Sequence, residues 1–436
     1  AHDNRKELLA QFCIAYCGIL SRHTICSTGN TSRFVADATG MNWTFDGKYV
    51  GTYTYRVLYN GNPMTTETGA PTGTVRIPAE VALNNTGWDW ISLYSYSLGN
   101  TGPTAYALKS GENYLPWMNL NANNKIIEIR SQTALLYNDP QWGFIGDITE
   151  ISPAGGMYKV KAMYDDANMC IISTGSDCVP ITSTPGGAYN FIRTGYTWIS
   201  YPLETATTIG QTQLAATAQE GDMLIGKTTT ATYDGTKWLP ADFALLPGKG
   251  YIYYTEGNGN FTPNFSAPPA NARPRLMSAK REKALEEPCP WTYDAGQFAD
   301  NMPVIATLDG VDTPEDYIIG AFVGEECRGE GRAVEDNVFI INVAGKGGEQ
   351  VKLRIYHKPT AESTAADASV TYSSKVGSLR APLRLKATEA TAIESVSNEP
   401  FTMDNESAWY TLDGRMLNAL PTKRGIYIHQ GKKVIR

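Results

Sequence analysis

Gly87-Trp88-Asp89-Trp90-Ile91-Ser92 is answered further along the chain by Gly195-Tyr196-Thr197-Trp198-Ile199-Ser200, and this pair decides how the fold is read. In each stretch two aromatic side chains stand at i and i+2, which puts both rings on one side of an extended strand. The agreement continues downstream: Tyr137 is followed five residues on by Trp142, and Tyr233 five residues on by Trp238. Pro153-Ala154-Gly155-Gly156 then leads into Met157-Tyr158-Lys159-Val160, as Pro247-Gly248-Lys249-Gly250 leads into Tyr251-Ile252-Tyr253-Tyr254. Both are turn sequences in which glycine supplies positive φ ahead of an alternating strand. Order and inner spacing match, so residues 87–180 and 181–266 read as two copies of one β-module. The first copy carries extra loop around Asn119 to Lys125.

Composition extends this reading to the rest of the chain. At 436 residues the protein is too long for one ordinary core. Charged residues make up 19%, below the roughly 25% of ordinary soluble domains, while Gly and Tyr are plentiful. The expected fold class is all-β, several small β-sandwich or β-barrel-like modules in series, with a short N-terminal helix. That helix is the amphipathic run Leu8 to Leu20 within residues 1–29, followed by a small β-domain over 30–86. After the two copies, the proline-rich stretch Ser266 to Pro274 and the charged run Lys280 to Glu287 mark a linker over 267–288. A β-sandwich is expected over 289–360, on the strand candidates Val304–Leu308, Tyr317–Val323, Val338–Val343 and Val351–Tyr356. A second, polar linker is expected over 361–400, and a last β-segment over 401–436 with a turn at Asp413-Gly414.

Several function classes are disfavoured. A net charge of −7 argues against general nucleic-acid binding, which needs a concentrated basic face. No apolar run approaches the roughly 18 residues of a membrane-spanning helix. Seven cysteines show no paired zinc spacing. Cys170 and Cys178 lie at a spacing that would let a disulfide close a small loop in an oxidising compartment, with buried free thiols as the competing expectation. HExxH, GxSxG and phosphate-cradling glycine loops are missing. Cys327 with His357 is the nearest approach to a nucleophilic pair. Asp309, Asp312, Glu315 and Asp316 form an acidic loop, making Asp309, Asp312 and Asp316 weak calcium candidates against the simpler reading of a solvated turn. No other cofactor is expected, and no catalytic residue is assigned.

The residues that invite a binding role are the rings: Trp88, Trp90, Trp142, Trp198 and Trp238. Exposed, they would form a stacking platform for carbohydrate; buried, they are core and turn markers. The expectation is a non-catalytic protein that binds a host or bacterial surface glycan or protein, adhesin-like. The alternative is a structural scaffold or accessory subunit of a larger surface assembly or enzyme.

Trp409-Tyr410-Thr411-Leu412-Asp413-Gly414-Arg415, followed by Gly425-Ile426-Tyr427-Ile428 and the basic strand Lys432 to Arg436, resembles the C-terminal sorting segment of secreted Bacteroidetes proteins linked to type IX-like secretion. The Gly-Trp-x-Trp modules, with Gly320-Ala321-Phe322-Val323-Gly324 further on, resemble accessory modules of large secreted proteins of the same bacteria. The resemblance implies export and a secreted or outer-surface location. It implies no reaction.

Overall fold

In the computed structural model the described residues are 79–83, 86–98, 126–163, 170–173, 177–181, 191–266 and 290–387, with further short strands between 34 and 77, 106 and 116, and 409 and 435. The expected helix of residues 1–29 and the linker over 267–288 lie outside them. The described residues are nearly all β, and their helical stretches are single 3-10 turns. The chain divides into two compact units, 1–387 and 388–436.

The two sequence copies build the same sheet. The first comprises β1 (Thr86–Ser92), β2 (Ile126–Arg130), β3 (Leu135–Asp139), β4 (Gly143–Gly146) and β5 (Met157–Met163) in the order β4-β3-β2-β5-β1. The second comprises β6 (Gly195–Ser200), β7 (Met223–Ile225), β8 (Thr230–Tyr233), β9 (Trp238–Leu239) and β10 (Gly250–Thr255) in the order β6-β10-β7-β8-β9. In each, the last strand is inserted beside the first, and all neighbours are antiparallel. The glycine that opens each motif has a backbone reason: Gly87 and Gly195 sit at φ +90° and +86°, a region that side chains strain to enter.

Alternation then decides which residues are core. In the first copy Ile91, Ile129, Leu136, Tyr158 and Val160 point inward. They meet Val81, Tyr106 and Ile171, carried on a four-stranded sheet of Asn113–Pro116, Tyr106–Ser110, Cys170–Ser173 and Glu80–Ala82. The strand Glu80–Ala82, which falls in the expected small domain of 30–86, thus forms the edge of a sheet completed by later residues. In the second copy the inward set is Ile199, Leu224, Ala231, Tyr233, Trp238, Tyr251 and Tyr253.

The third module is a nearly closed barrel. β11 (Asp300–Leu308), β12 (Tyr317–Val323), β13 (Glu326–Glu335), β14 (Val338–Gly345), β15 (Gln350–His357), β16 (Glu362–Thr371) and β17 (Leu383–Leu385) form a seven-stranded sheet in the order β16-β15-β12-β13-β14-β11-β17. Its two ends meet, because Ala366 bridges Ala387 and the Asp367 amide donates to the Lys386 carbonyl at 3.0 Å. This near-closure covers much of the free edge that an open sheet would leave. Met302, Val304, Leu308, Ile319, Phe339, Ile341 and Leu353 fill the interior. Two expectations are corrected here. The sandwich expected over 289–360 is this barrel, and the linker expected over 361–400 supplies two of its strands. Alternating Ala, Ser and Thr in β16 read as a polar connection because a closing strand needs only small inward residues.

The outer faces of all three sheets converge on one apolar cluster: Trp90 and Met157 from the first copy, Met223, Ile225, Ile252 and Tyr254 from the second, and Ile305 from the barrel. The two copies also pack reciprocally. Lys249 bridges Ile91 and the Ser92 amide donates to the Gly248 carbonyl at 2.9 Å, while Gly156 lies so close to the Trp198 carbonyl that a Cβ there would stand 2.5 Å from it.

The second unit contributes a four-stranded antiparallel sheet of Met416–Leu417, Trp409–Thr411, Ile426–His429 and Lys432–Ile435. Within it the rings of Trp409 and His429 stack at 4.2 Å.

Shared burial at this junction predicts shared unfolding. Trp90→Ala should cost about 3–5 kcal/mol, and far-UV circular dichroism and tryptophan fluorescence should follow one displaced transition of the first unit. Two separate transitions in the wild-type unit would show that the sheets are energetically independent.

Candidate functional site

The five tryptophans singled out in the sequence have different fates. Trp90 and Trp238 are 1% and 2% exposed, Trp88 is buried, and Trp198 is half-buried. Trp142 alone among them faces solvent, at 72%. A stacking platform made of all five rings is therefore corrected to a structural core with one exposed member. The reason is that Trp90 and Trp198 stand where the copies meet, and Trp238 lies inside the second copy against Tyr233 and Tyr253.

Trp142 and Trp238 occupy equivalent places in the repeat, and their turns explain the difference. In the second copy the turn is organised by Asp234, one residue after Tyr233, whose Oδ1 accepts from the amides of Thr236 and Lys237 at 2.7 Å. Trp238 then pairs directly with Tyr233, and both rings enter the core. In the first copy the equivalent carboxylate is Asp139, two residues after Tyr137, accepting from the amides of Gln141 and Trp142 at 2.8 and 2.9 Å. The strand runs one residue further before turning, so Tyr137 pairs with Ile145 and Leu136 takes the core position. A shift of one residue sends a strand's alternate side chains to the opposite face. Leu135, Tyr137 and Ile145 emerge 41%, 39% and 39% exposed, beside Trp142 at the turn.

This exposed face continues across the sheet in two cross-strand rows. One runs Ile145, Tyr137, Glu128, Lys161, Trp88; the other runs Leu135, Arg130, Lys159, Trp90. Apolar residues at the open hairpin thus give way to ions and then to indoles. Arg130 Nε pairs with Glu128 Oε1 at 2.5 Å, and its guanidinium lies 4.6 Å from the centre of the Trp88 ring. Lys161 Nζ approaches the same ring to 5.9 Å. A depression of about 370 Å³ opens between Glu128, Arg130, Leu135 and Asp147. Its floor loop is held in place by Gln132, whose side chain donates to the Tyr196 carbonyl at 2.8 Å and accepts from the Trp198 amide at 2.9 Å.

At the buried end the chemistry is structural. Lys159, 3% exposed, lies between the rings of Trp90 and Trp198, 4.5 and 4.4 Å from their centres, and pairs with Asp300 of the barrel at 2.5 Å. Burial pulls its pKa down and Asp300 opposes that pull. Lys227 reaches the same cluster and donates to the Phe298 carbonyl. Burial, reinforced by Lys159, lowers Lys227 to about 8, against the pull of Asp89, Asp300 and Asp294. Asp89 is itself buried and paired with Lys249 at 2.7 Å.

The remaining sequence candidates do not assemble into sites. Asp309 is held by Arg384 through Oδ2 at 2.9 Å, and among the described residues Asp309, Asp312 and Asp316 form no group able to hold a metal ion. Cys327 is a buried free thiol whose pKa burial pushes up. Cys327 and His357 flank β12 opposite Phe322 and Tyr317, five residues apart, which is about 17 Å along a strand and too far for a catalytic pair. Cys170 is also buried, and the side chain of Cys178, with the loop disulfide expected between them, lies outside the described residues. Their strands belong to different sheets, Cys170 pairing toward Lys109 and Cys178 toward Ser97.

No protein-family model matches the chain. A short segment is similar to methylglyoxal synthases: 56% identical over 41 residues to that of Caldicellulosiruptor saccharolyticus, 9% of this chain and 29% of the enzyme. The synthase of Clostridium acetobutylicum is 46% identical over 41 residues, and that of Thermoanaerobacter sp. 45% over 42. The chain thus spans 29%, 28% and 32% of the length of these three relatives.

Two measurements check this geometry. Trp142→Ala should leave unfolding free energy within about 0.5 kcal/mol of wild type, whereas Trp238→Ala should lower it by about 3–5 kcal/mol. For Lys227, the folded pKa of about 8 lies below the ordinary 10.5. Between those values the unfolded chain binds more protons, so stability rises with pH there. Urea unfolding at pH 7.5 and 9.5 should show this gain, and Lys227→Met should reduce it; an unchanged gain would remove Lys227 as its source.

Proposed function

We propose that the chain is a non-catalytic, extracellular recognition protein of the bacterial surface, and that the outer face of the β3–β4 hairpin is its contact surface. One observation carries this reading: Leu135, Tyr137, Ile145 and Trp142 are all exposed on one small hairpin, while the equivalent rings of the second copy are core. Large side chains left uncovered together, at the cost of solvating apolar surface, mark sites of interaction. Trp and Tyr suit such a site because they bring contact area with little rotamer entropy to lose. Secretion or display at the outer surface is supported by the resemblance of the Trp409–Arg436 tail to sorting segments. A host or bacterial surface glycan or protein is the partner class this surface fits.

The scaffold reading draws on a separate feature. β4 is an edge strand, Gly143-Phe144-Ile145-Gly146, with neither Lys nor Pro to discourage pairing. A strand added there would extend the first sheet.

The test is a binding screen of the full chain against glycans and surface proteins, repeated with Trp142→Ala. Recognition through the hairpin predicts saturable binding that the variant loses while keeping its unfolding temperature. Binding that survives in Trp142→Ala would move the contact surface elsewhere.

A further inference from the structure

The ions beside the hairpin narrow the partner to one ligand chemistry, an inference that rests on the hairpin being the contact surface. Arg130, Lys161, Glu128 and Asp147 stand around the depression and the β3 strand beside it. Arg130 uses Nε for Glu128, which leaves its two terminal nitrogens without an ion pair among the described residues. Lys161 Nζ lies over the Trp88 ring and has no ion pair among the described residues. Glu128 keeps one carboxylate oxygen, and Asp147, exposed and lining the depression, faces the same side as Leu135, whose carbonyl accepts the Asp147 amide at 2.9 Å. Donors and acceptors of both charge signs thus stand side by side.

We infer that the face from the Glu128–Arg130–Asp147 depression to Trp142 binds a neutral oligosaccharide lying along β3. A sugar hydroxyl both donates and accepts, so it matches an Arg–carboxylate pair at either end. Tyr137 and Trp142 supply flat apolar surface for the ring faces. For a carboxylated sugar, repulsion by Glu128 and Asp147 offsets the attraction of Arg130 and Lys161, whereas a neutral one meets all four through hydrogen bonds, and an apolar peptide would leave four charged groups desolvated without partners. The length agrees with an oligosaccharide: Leu135 to Asp139 is four residue steps, about 13 Å, and Trp142 extends the face past the turn. The depression of about 370 Å³ lies at the small end of the usual range for ligand pockets, about 300–1,000 Å³, as expected for one end of a chain ligand.

The experiment is calorimetric titration of the full chain with neutral hexasaccharides (cello-, xylo-, manno- and maltohexaose) and with oligogalacturonate, at low and high salt. The expected result is saturable binding of a neutral hexasaccharide, insensitive to salt, with a blue-shifted Trp142 emission. Trp142→Ala should weaken it at least about tenfold, and Asp147→Asn should weaken it while leaving the unfolding temperature unchanged. Preferential binding of oligogalacturonate that falls with salt would overturn the inference and leave the hairpin as the contact surface. So would binding of a protein or of a second copy of this chain at the hairpin, with no sugar bound. Absence of any binding that depends on Trp142 would overturn both this inference and the hairpin reading.

Discussion

The ammonium of Lys159, held between the indoles of Trp90 and Trp198 and paired with Asp300, is the contact on which the first unit depends. Each partner comes from a different sheet, so one side chain joins both repeats and the barrel. A buried ion pair is poor evidence for net stability, because desolvation offsets much of the attraction. Its effect is on geometry. Any arrangement of the three sheets that separated Asp300 or either ring would leave a cation unpaired in an apolar cluster, at a cost of about 3–5 kcal/mol. The surrounding residues, Met157, Met223, Ile225, Ile252 and Ile305, supply the hydrophobic gain that the pair orients.

The repeat accounts for why the protein has both a buried junction and an exposed face. Each copy carries one aromatic strand, and each turns it toward the other copy and the barrel. That use consumes Trp88, Trp90, Tyr196 and Trp198 as packing surface. What remains free is the far end of the first sheet, where β3 and β4 extend away from the junction. The second copy has no counterpart, because its equivalent hairpin is folded back into its own core through Tyr233 and Trp238. A shift of one turn residue separates a copy whose hairpin is core from one whose hairpin faces solvent.

The all-β class, the equivalence of the two copies and the strands of the third module were legible in the chain, because period-two alternation and Pro-Gly turns are local signals. Gly87 and Gly195 stand at matching places in the motif, and the structure shows their positive φ. The barrel was not legible, since β16 closes it with Ala, Ser and Thr that read as linker. Of the candidate site, Trp142 was named, yet in company with four rings that are covered or half-covered. Tyr137, Leu135, Ile145, Arg130 and Asp147 were missed. The signal available was the position of Asp139 relative to Tyr137, one place later than Asp234 relative to Tyr233.

The sequence by itself determined which residues could share a face, because side-chain alternation follows from backbone geometry alone. It determined that Trp88 with Trp90, and Tyr196 with Trp198, act as units. Only the tertiary structure decided which faces meet water. That choice depends on what lies across each sheet: Lys159 reaches Trp198 across 39 residues of chain, Asp300 reaches Lys159 across 141, and Gln132 reaches Tyr196 across 64. Burial is a property of the assembled neighbours, whereas the pattern along a strand is local, so the same Tyr-to-Trp spacing became core in one copy and surface in the other.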